Sequence, residues 1–341
     1  MNRDELIQEF LSKNNLGDRL LVPVENDASF RKYFRIKEKG LIVMDAPSEL
    51  GESIESFINI DSILLELGLS APKIYAADHN HGFLLLEDFG HTTFKYLMLQ
   101  RSMGRPYRMG DRLYKKAISV ILHIKSKWSN NIELGKNLPR YSIEELLKEA
   151  RLFIDWYLIK HRQIQVQAKD IDEFESIISN LFKIISPGFD TLVLRDYHVD
   201  NLFFLKGRGG GFKNIGLIDF QDALIGSATY DLVSLIEDVR WPVNRVPYKN
   251  KNLRDDLFDF FVSHGKLDEE QVNKEACFFS VQRNLKILGI FCRLKYRDGK
   301  ESYIDYLKNA KNILAVHLSN PLMEDLNKWV RKFDSKIVEG S

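Results

Sequence analysis

One short segment, Arg195 to Asp222 (RDYHVDNLFFLKGRGGGFKNIGLIDFQD), constrains the fold more than any other stretch of the 341 residues. It holds a dense glycine cluster, Gly207, Gly209, Gly210 and Gly211, with an apolar run on each side, LFFL and NIGLI. Short apolar runs joined through a Gly/Lys turn pair as an antiparallel hairpin. Pairing carries Asp219, at the end of the second run, back to the mouth of the first, where Asp196 and Asn201 stand five residues apart. The glycines then serve the turn, where backbone freedom is needed. At strand rise they lie roughly 17 Å from the carboxylates.

The rest of the chain divides around this hairpin. Leu6, Ile7, Phe10 and Leu11 predict an amphipathic helix closing near Gly17. LLVPVENDASFRKYFRI reads as two strands about a polar turn at 25–28, followed by the strand LIVMDA. Phe57, Ile60, Ile63, Leu64 and Leu67 recur at helical spacing until Gly68 and Pro72, and GFLLLEDFG is a further strand. Beyond residue 90 the periodicity is helical except at the hairpin. Helices are expected over Phe94 to Gln100, Asp111 to Trp128, Ile143 to His161 and Asp170 to Ile185. More follow over Asp231 to Val239, Asn252 to His264, Asn273 to Leu294, Ser302 to Leu318 and Pro321 to Phe333. The expectation is an α+β chain of two lobes, a small β-rich one over 1–90 and a larger, mainly helical one over 91–341.

The polar residues at the hairpin mouth match one kind of chemistry. Taken singly, Asp196 and Asn201 read as turn residues and Asp219 as a helix cap. Jointly they place two carboxylates and an amide at one end of a hairpin. Phosphoryl transfer is largely positioning and neutralisation of dispersed negative charge by a metal ion. Mg2+ takes a few oxygen ligands and keeps its waters, which suits Asn201 and Asp219. Asp196 is left to orient, or accept the proton of, an attacking hydroxyl.

RDYHVDN followed by IDFQDALIGSATYDL resembles the aminoglycoside-phosphotransferase and choline-kinase-like superfamily, which shares the protein-kinase fold. More narrowly, DASFRKYFRI, IVMDAP, GFLLLEDFG, LRDYHVDN, IDFQDA, YDLVSLIEDVR and QRNLKILGIFCRL resemble the bacterial anomeric kinases of N-acetylmuramate and N-acetylglucosamine. The resemblance implies a bilobal protein-kinase-like fold that uses ATP and Mg2+ on the anomeric hydroxyl of an amino sugar, in the recycling of cell-wall sugars. It also implies that backbone groups of Leu86 and Asp88, on the connecting strand, meet the adenine edge.

Two features depart from the usual kinase pattern. Met44 occupies the position of the third-strand lysine, and Asn26 to Ser29 stands where a glycine-rich loop is usual. Either the chain is a nucleotide-binding module without catalysis, or its phosphate contacts have moved. Relocation assigns them to Ser29 and Phe30 at the loop and to Arg31 and Arg35. Strand alternation sets both arginines on one face with Tyr33. Surface strand charges are the plainer reading of the two arginines.

Candidate substrate contacts follow from the helical region. Gln282, Lys286, Gly289 and Arg293 form one stripe of a helix that is otherwise apolar nearly all round, and Arg283 stands beside it. Buried polar groups need partners, which are either a bound sugar or the protein's own acids. His198, two residues past Asp196, either touches the sugar or makes a structural hydrogen bond. Trp156, within Asp155-Trp156-Tyr157, offers a sugar platform or core packing, while Asp231 braces the catalytic loop near a helix start.

A net charge of +1 excludes a global field for nucleic acid or an acidic membrane. Arg101 to Lys116 is locally basic, with six Lys/Arg against Asp111. Cys277 and Cys292 lie in an apolar helical run and read as core residues in a reducing compartment. The charged, amphipathic N-terminus and the lack of a spanning apolar run give a cytoplasmic expectation, with a small-molecule partner and no obligate protein partner. A kinase of another small alcohol or an aminoglycoside stays open beside the sugar kinase, although Lys286 and Arg293 suit a cationic substrate poorly.

Overall fold

The computed structural model describes residues 2–17, 19–24, 30–100, 106–128, 132–241, 247–248 and 251–339. In chain order come α1 (Arg3–Lys13), β1 (Leu21–Val24), β2 (Lys32–Ile36), β3 (Leu41–Asp45), α2 (Ile54–Glu66), β4 (Ile74–Asp78) and β5 (Phe83–Glu87). Then follow α3 (Phe94–Gln100), α4 (Pro106–Trp128), α5 (Ile143–Leu152), α6 (Ala168–Ile185), β6 (Thr191–Val193), β7 (Leu202–Phe204), β8 (Ile215–Leu217) and β9 (Leu224–Gly226). The rest is α7 (Ala228–Ile236), β10 (Pro247–Tyr248), β11 (Lys251–Asn252), α8 (Leu253–Gly265), α9 (Glu269–Asp298), α10 (Leu307–Leu318) and α11 (Glu324–Val338). These form two compact units, residues 1–106 with 199–223, and residues 107–198 with 224–341.

The first unit is built on an antiparallel five-stranded sheet ordered β1-β2-β3-β5-β4. Alternation sends Ile36, Val43, Phe83 and Leu85 to one face, where Ile7, Phe10 and Leu11 of α1 cover them. α1 starts with a capping box: Asn2 Oδ1 accepts the Glu5 N–H at 2.9 Å, and the Glu5 carboxylate accepts that of Asn2 at 2.9 Å. On the opposite face the register sets Tyr33 beside Met44 and Met44 beside Leu84. The sequence predicts four of these strands. β4 (IYAAD) escapes because Ala76 and Ala77 have weak strand preference, and only pairing with β5 makes it a strand. α2 buries Phe57, Ile60, Ile63 and Leu64, the positions its periodicity predicts, behind a Ser53 cap.

In the second unit the 30-residue α9 is buried nearly all round and runs against α5, α7 and α10. Gly289 allows its closest approach: a Cβ there would lie 2.3 Å from the Leu152 carbonyl carbon. Beyond Leu152, α5 continues as a π-helix over Phe153–His161, and the Arg162 N–H donates to Tyr157 O at 2.9 Å. The π character is not visible in sequence, because the helical spacing of apolar residues differs little between the two. β6 pairs antiparallel with β9, which sets the strand leading to Asp196 beside the strand entering α7. Both cysteines are buried and free. Among the described residues, no helix is long and apolar enough to cross a membrane.

Candidate active site

In the first unit, β7 and β8 pair in the register Leu202↔Leu217, Phe203↔Gly216 and Phe204↔Ile215, so the expected hairpin forms. Gly207, Gly209 and Gly211 turn the chain with φ of 96°, 80° and 71°, in the left-handed region. At the other end the Ile218 N–H donates to Asn201 O at 3.2 Å, and Asn201 Nδ2 donates to Asp219 Oδ2 at 3.3 Å. Asp219 itself has φ 59°, an uncommon conformation for a non-glycine residue. Besides the Asn201 amide, the next two residues help to hold it there. Phe220 is buried against Phe57 of α2, with ring centroids 4.9 Å apart, and Gln221 Nε2 donates to Asp219 Oδ1 at 3.0 Å. Gln221 Nε2 also reaches Asp222 Oδ2 at 3.2 Å. The amide nitrogen is the atom facing Asp219 here, and a carboxylate beside an amide side chain offers the oxygen donor types that suit a hard cation such as Mg2+.

The sheet contributes the proposed nucleotide-side residues. Arg31 is only 7% exposed; its Nε lies 3.3 Å from Glu52 Oε2 and its Nη2 lies 3.9 Å from Asp222 Oδ2. The Tyr33 hydroxyl is pushed well above its usual range by burial, with the nearby Arg31 pulling the other way. Arg35 makes a two-pronged pair with Asp88, Nε to Oδ2 at 2.5 Å and Nη2 to Oδ1 at 3.0 Å, and also donates to Gly90 O at 3.0 Å. The Asp88 N–H donates to Gly40 O at 3.0 Å, while Leu86 is a buried residue of β5 flanked by Ile42 and Ile74. Phe30 is exposed, and its N–H donates to Glu52 Oε1 at 3.2 Å. Ser29 and the turn at 25–28 lie outside the described residues, as do 101–105 of the basic segment. Met44 is fully buried in the sheet.

The second unit holds Asp196 on a braced loop. The Asp231 carboxylate accepts the N–H of Leu194 at 2.7 Å and of Arg195 at 2.9 Å, and Ser234 Oγ donates to Arg195 O at 3.0 Å. Arg195 is itself in the left-handed region at φ 69°. Burial lifts the Asp231 carboxyl to about 7 against the pull of those two N–H groups. One residue beyond Asp196, the Tyr197 hydroxyl donates to Ala117 O at 2.9 Å.

Asp196 is surrounded by positive charge. Its burial works to raise the carboxyl's pKa, yet Lys286, Arg283, His198 and Arg195 together hold it below the usual range. Behind them sits Glu149 of α5, which accepts from Tyr141 Oη and Arg195 Nη2, from Gln282 Nε2 at 3.0 Å and from Lys286 Nζ at 2.6 Å. Burial opposes ionisation of Glu149, and Lys286 and Arg195 outweigh it, taking the carboxyl to about 2. The two partners left open for the α9 stripe thus resolve in part, since Gln282 and Lys286 meet the protein's own acid. Gly289 serves close packing rather than a ligand. His198 is buried at 4% exposure. The Asp155-Trp156-Tyr157 triple does not form one platform: Asp155 pairs with Arg151 at 3.2 Å, Tyr157 Oη donates to Asp334 Oδ2 at 2.6 Å, and Trp156 is half-buried on the π-helix.

Residues 21–256 match the phosphotransferase enzyme family model. The chain belongs to that family. An N-acetylmuramate/N-acetylglucosamine kinase of Pseudomonas aeruginosa is 31% identical over 289 residues, covering 83% of this chain and 79% of that protein. A Caulobacter vibrioides protein of the same name is 28% identical, covering 95% and 94%. Among solved structures, a gentamicin–APH(2")-IIa complex superposes with a TM-score of 0.62 at 13% identity, covering 95% of this chain and 98% of that one. Choline kinase LicA from Streptococcus pneumoniae gives 0.57 at 14% identity, covering 92% and 99%. At such identities the likeness carries the fold, which is the expected α+β, kinase-like class.

Two residues of this phosphotransferase that are not evident as site residues in its sequence also shape the site. Glu149 is a lone carboxylate on the buried face of α5 between Leu146 and Ala150, a signal available in the helical pattern. Glu52 precedes its helix in a polar stretch and shows its role through Arg31 and the Phe30 N–H.

Proposed function

We propose that this phosphotransferase moves the γ-phosphoryl group of ATP to the anomeric hydroxyl of an N-acetylated amino sugar, N-acetylmuramate or N-acetylglucosamine. The observation that carries the reading is Asp196: a half-buried carboxylate kept ionised by surrounding cations, on a loop clamped through Asp231. An ionised, fixed carboxylate can orient a sugar hydroxyl and receive its proton as the phosphorus–oxygen bond forms. The names of the relatives support the sugar.

Asn201 and Asp219 would hold Mg2+, and their donor chemistry fits it. When bound, the ion would neutralise charge on the phosphate oxygens. Arg31, paired with Glu52, supplies a cation–carboxylate pair from β2's approach where Met44 leaves β3 without one. That pair favours catalysis over the non-catalytic module. In the same reading Ser29, Phe30 and Arg35 lie on the nucleotide side, the backbones of Leu86 and Asp88 face the adenine, and His198, Trp156, Arg283 and Lys286 lie on the acceptor side. Residues 1–90 then act as the nucleotide-covering lobe and 91–341 as the catalytic and acceptor lobe, in the cytoplasmic recycling of cell-wall sugars.

An ADP-release assay with each sugar and its alditol tests the proposal. Release with the sugars and none with the alditols is expected, since an alditol has no anomeric hydroxyl. Equal release with both would refute the anomeric assignment.

A further inference from the structure

The cations around Asp196 are not equivalent. Arg195 and Lys286 both lie against Glu149, and Arg240 Nε lies 3.2 Å from Asp238 Oδ1. Arg283, on α9, is 5% exposed and has no carboxylate within ion-pair distance among the described residues. Its Nε and Asp238 Oδ2 are buried without a hydrogen-bond partner there, and the guanidinium's side-chain hydrogen bond goes to the neutral Tyr230 hydroxyl, whose own proton stays available. The guanidinium lies by the Tyr230 ring, 5.9 Å from its centroid, and in the field of Asp196 and Asp238.

A buried guanidinium without a paired carboxylate is expensive to keep. Native interiors rarely leave such a donor unfilled unless something else fills it. Its planar, donor-only fork matches a carboxylate better than a neutral oxygen, and a phenolic hydroxyl beside it can donate a further hydrogen bond. Among the described residues, Arg195, Lys286 and Arg240 each have an acid in contact, and Arg283 has none.

We propose that Arg283, with the Tyr230 hydroxyl, receives an acidic substituent of the acceptor, so that this phosphotransferase selects a carboxylate-bearing amino sugar over a neutral one. The proposal rests on the amino-sugar reading above. Of the two sugars, N-acetylmuramate carries a lactyl carboxylate and N-acetylglucosamine carries none.

The test first replaces the carboxylate on the substrate, so that part of the answer does not depend on whether a variant folds. Phosphorylation rates are measured for N-acetylmuramate and its carboxamide, then repeated with Arg283→Gln and Tyr230→Phe. Loss of a charge-assisted hydrogen bond should lower wild-type kcat/KM on the amide by about ten- to a hundred-fold. In Arg283→Gln the acid-to-amide preference should collapse to within about threefold, and Tyr230→Phe should reduce it by a smaller factor. Equal wild-type turnover of acid and amide would overturn the assignment, as would a preference that survives in Arg283→Gln. Turnover of neither sugar by the wild type would instead remove the amino-sugar reading and this proposal with it.

Discussion

Glu149 gives the sharpest stability prediction, because one buried carboxylate answers two cations, the buried Lys286 and the half-buried Arg195. Glu149→Gln keeps the volume and removes the charge, leaving Arg195 and Lys286 without their shared acid. A carboxyl held at about 2 rather than 4.5 favours the folded, ionised state by about 3 kcal/mol. Breaking a buried ion pair from one side falls in the same range, about 3–5 kcal/mol. Because the folded-state value is depressed, the contribution is complete above 4.5 and fades as pH falls toward about 2. Urea titrations of wild type and variant, followed by near-UV circular dichroism, should differ by about 3 kcal/mol near neutrality. The gap should narrow by about 1 kcal/mol for each pH unit below 4.5. Adding Lys286→Met to Glu149→Gln should recover part of the loss, since one uncompensated cation is removed. A variant within about 0.5 kcal/mol of wild type near neutrality, or a gap that does not change with acid, would refute the reasoning.

Other perturbations probe the catalytic, nucleotide and packing assignments. Asp196→Asn should lower kcat on the order of 10²–10⁴ while leaving the melting temperature close to wild type; near-normal turnover would exclude it as the base. Arg31→Ala should raise the KM for ATP about tenfold or more, and unchanged ATP kinetics would take Arg31 out of the phosphate site. Gly289→Ala places a methyl group 2.3 Å from the Leu152 carbonyl carbon. It should cost at least about 1–3 kcal/mol in a thermal melt, and a neutral effect would mean that α9 and α5 can separate freely.

Much of the fold is written in local pattern, and the site only partly so. The hairpin is legible because its two strands, its turn glycines and Asp219 lie within one short segment, so pairing returns Asp219 to Asn201 with little freedom. The helices are legible from apolar spacing, although α9 also hides its logic: the stripe Gln282 and Lys286 announces burial without saying what answers it. Glu149 answers it from a residue more than a hundred positions earlier, and tertiary contacts of that span leave no local trace. The pairing of Arg35 with Asp88 has the same character. Alternation sets Arg35 on a face with Arg31, but only the β2–β3–β5 order brings Asp88 to it. β4 is a strand by partnership alone.

The central claim concerns one bond, and phosphorus NMR of the product reads it directly. Incubation with ATP, Mg2+ and N-acetylmuramate or N-acetylglucosamine should give a phosphate resonance coupled to the anomeric proton, with loss of the sugar's reducing end. A phosphate coupled to any other sugar proton, with the reducing end intact, would contradict the assignment of Asp196 to the anomeric hydroxyl.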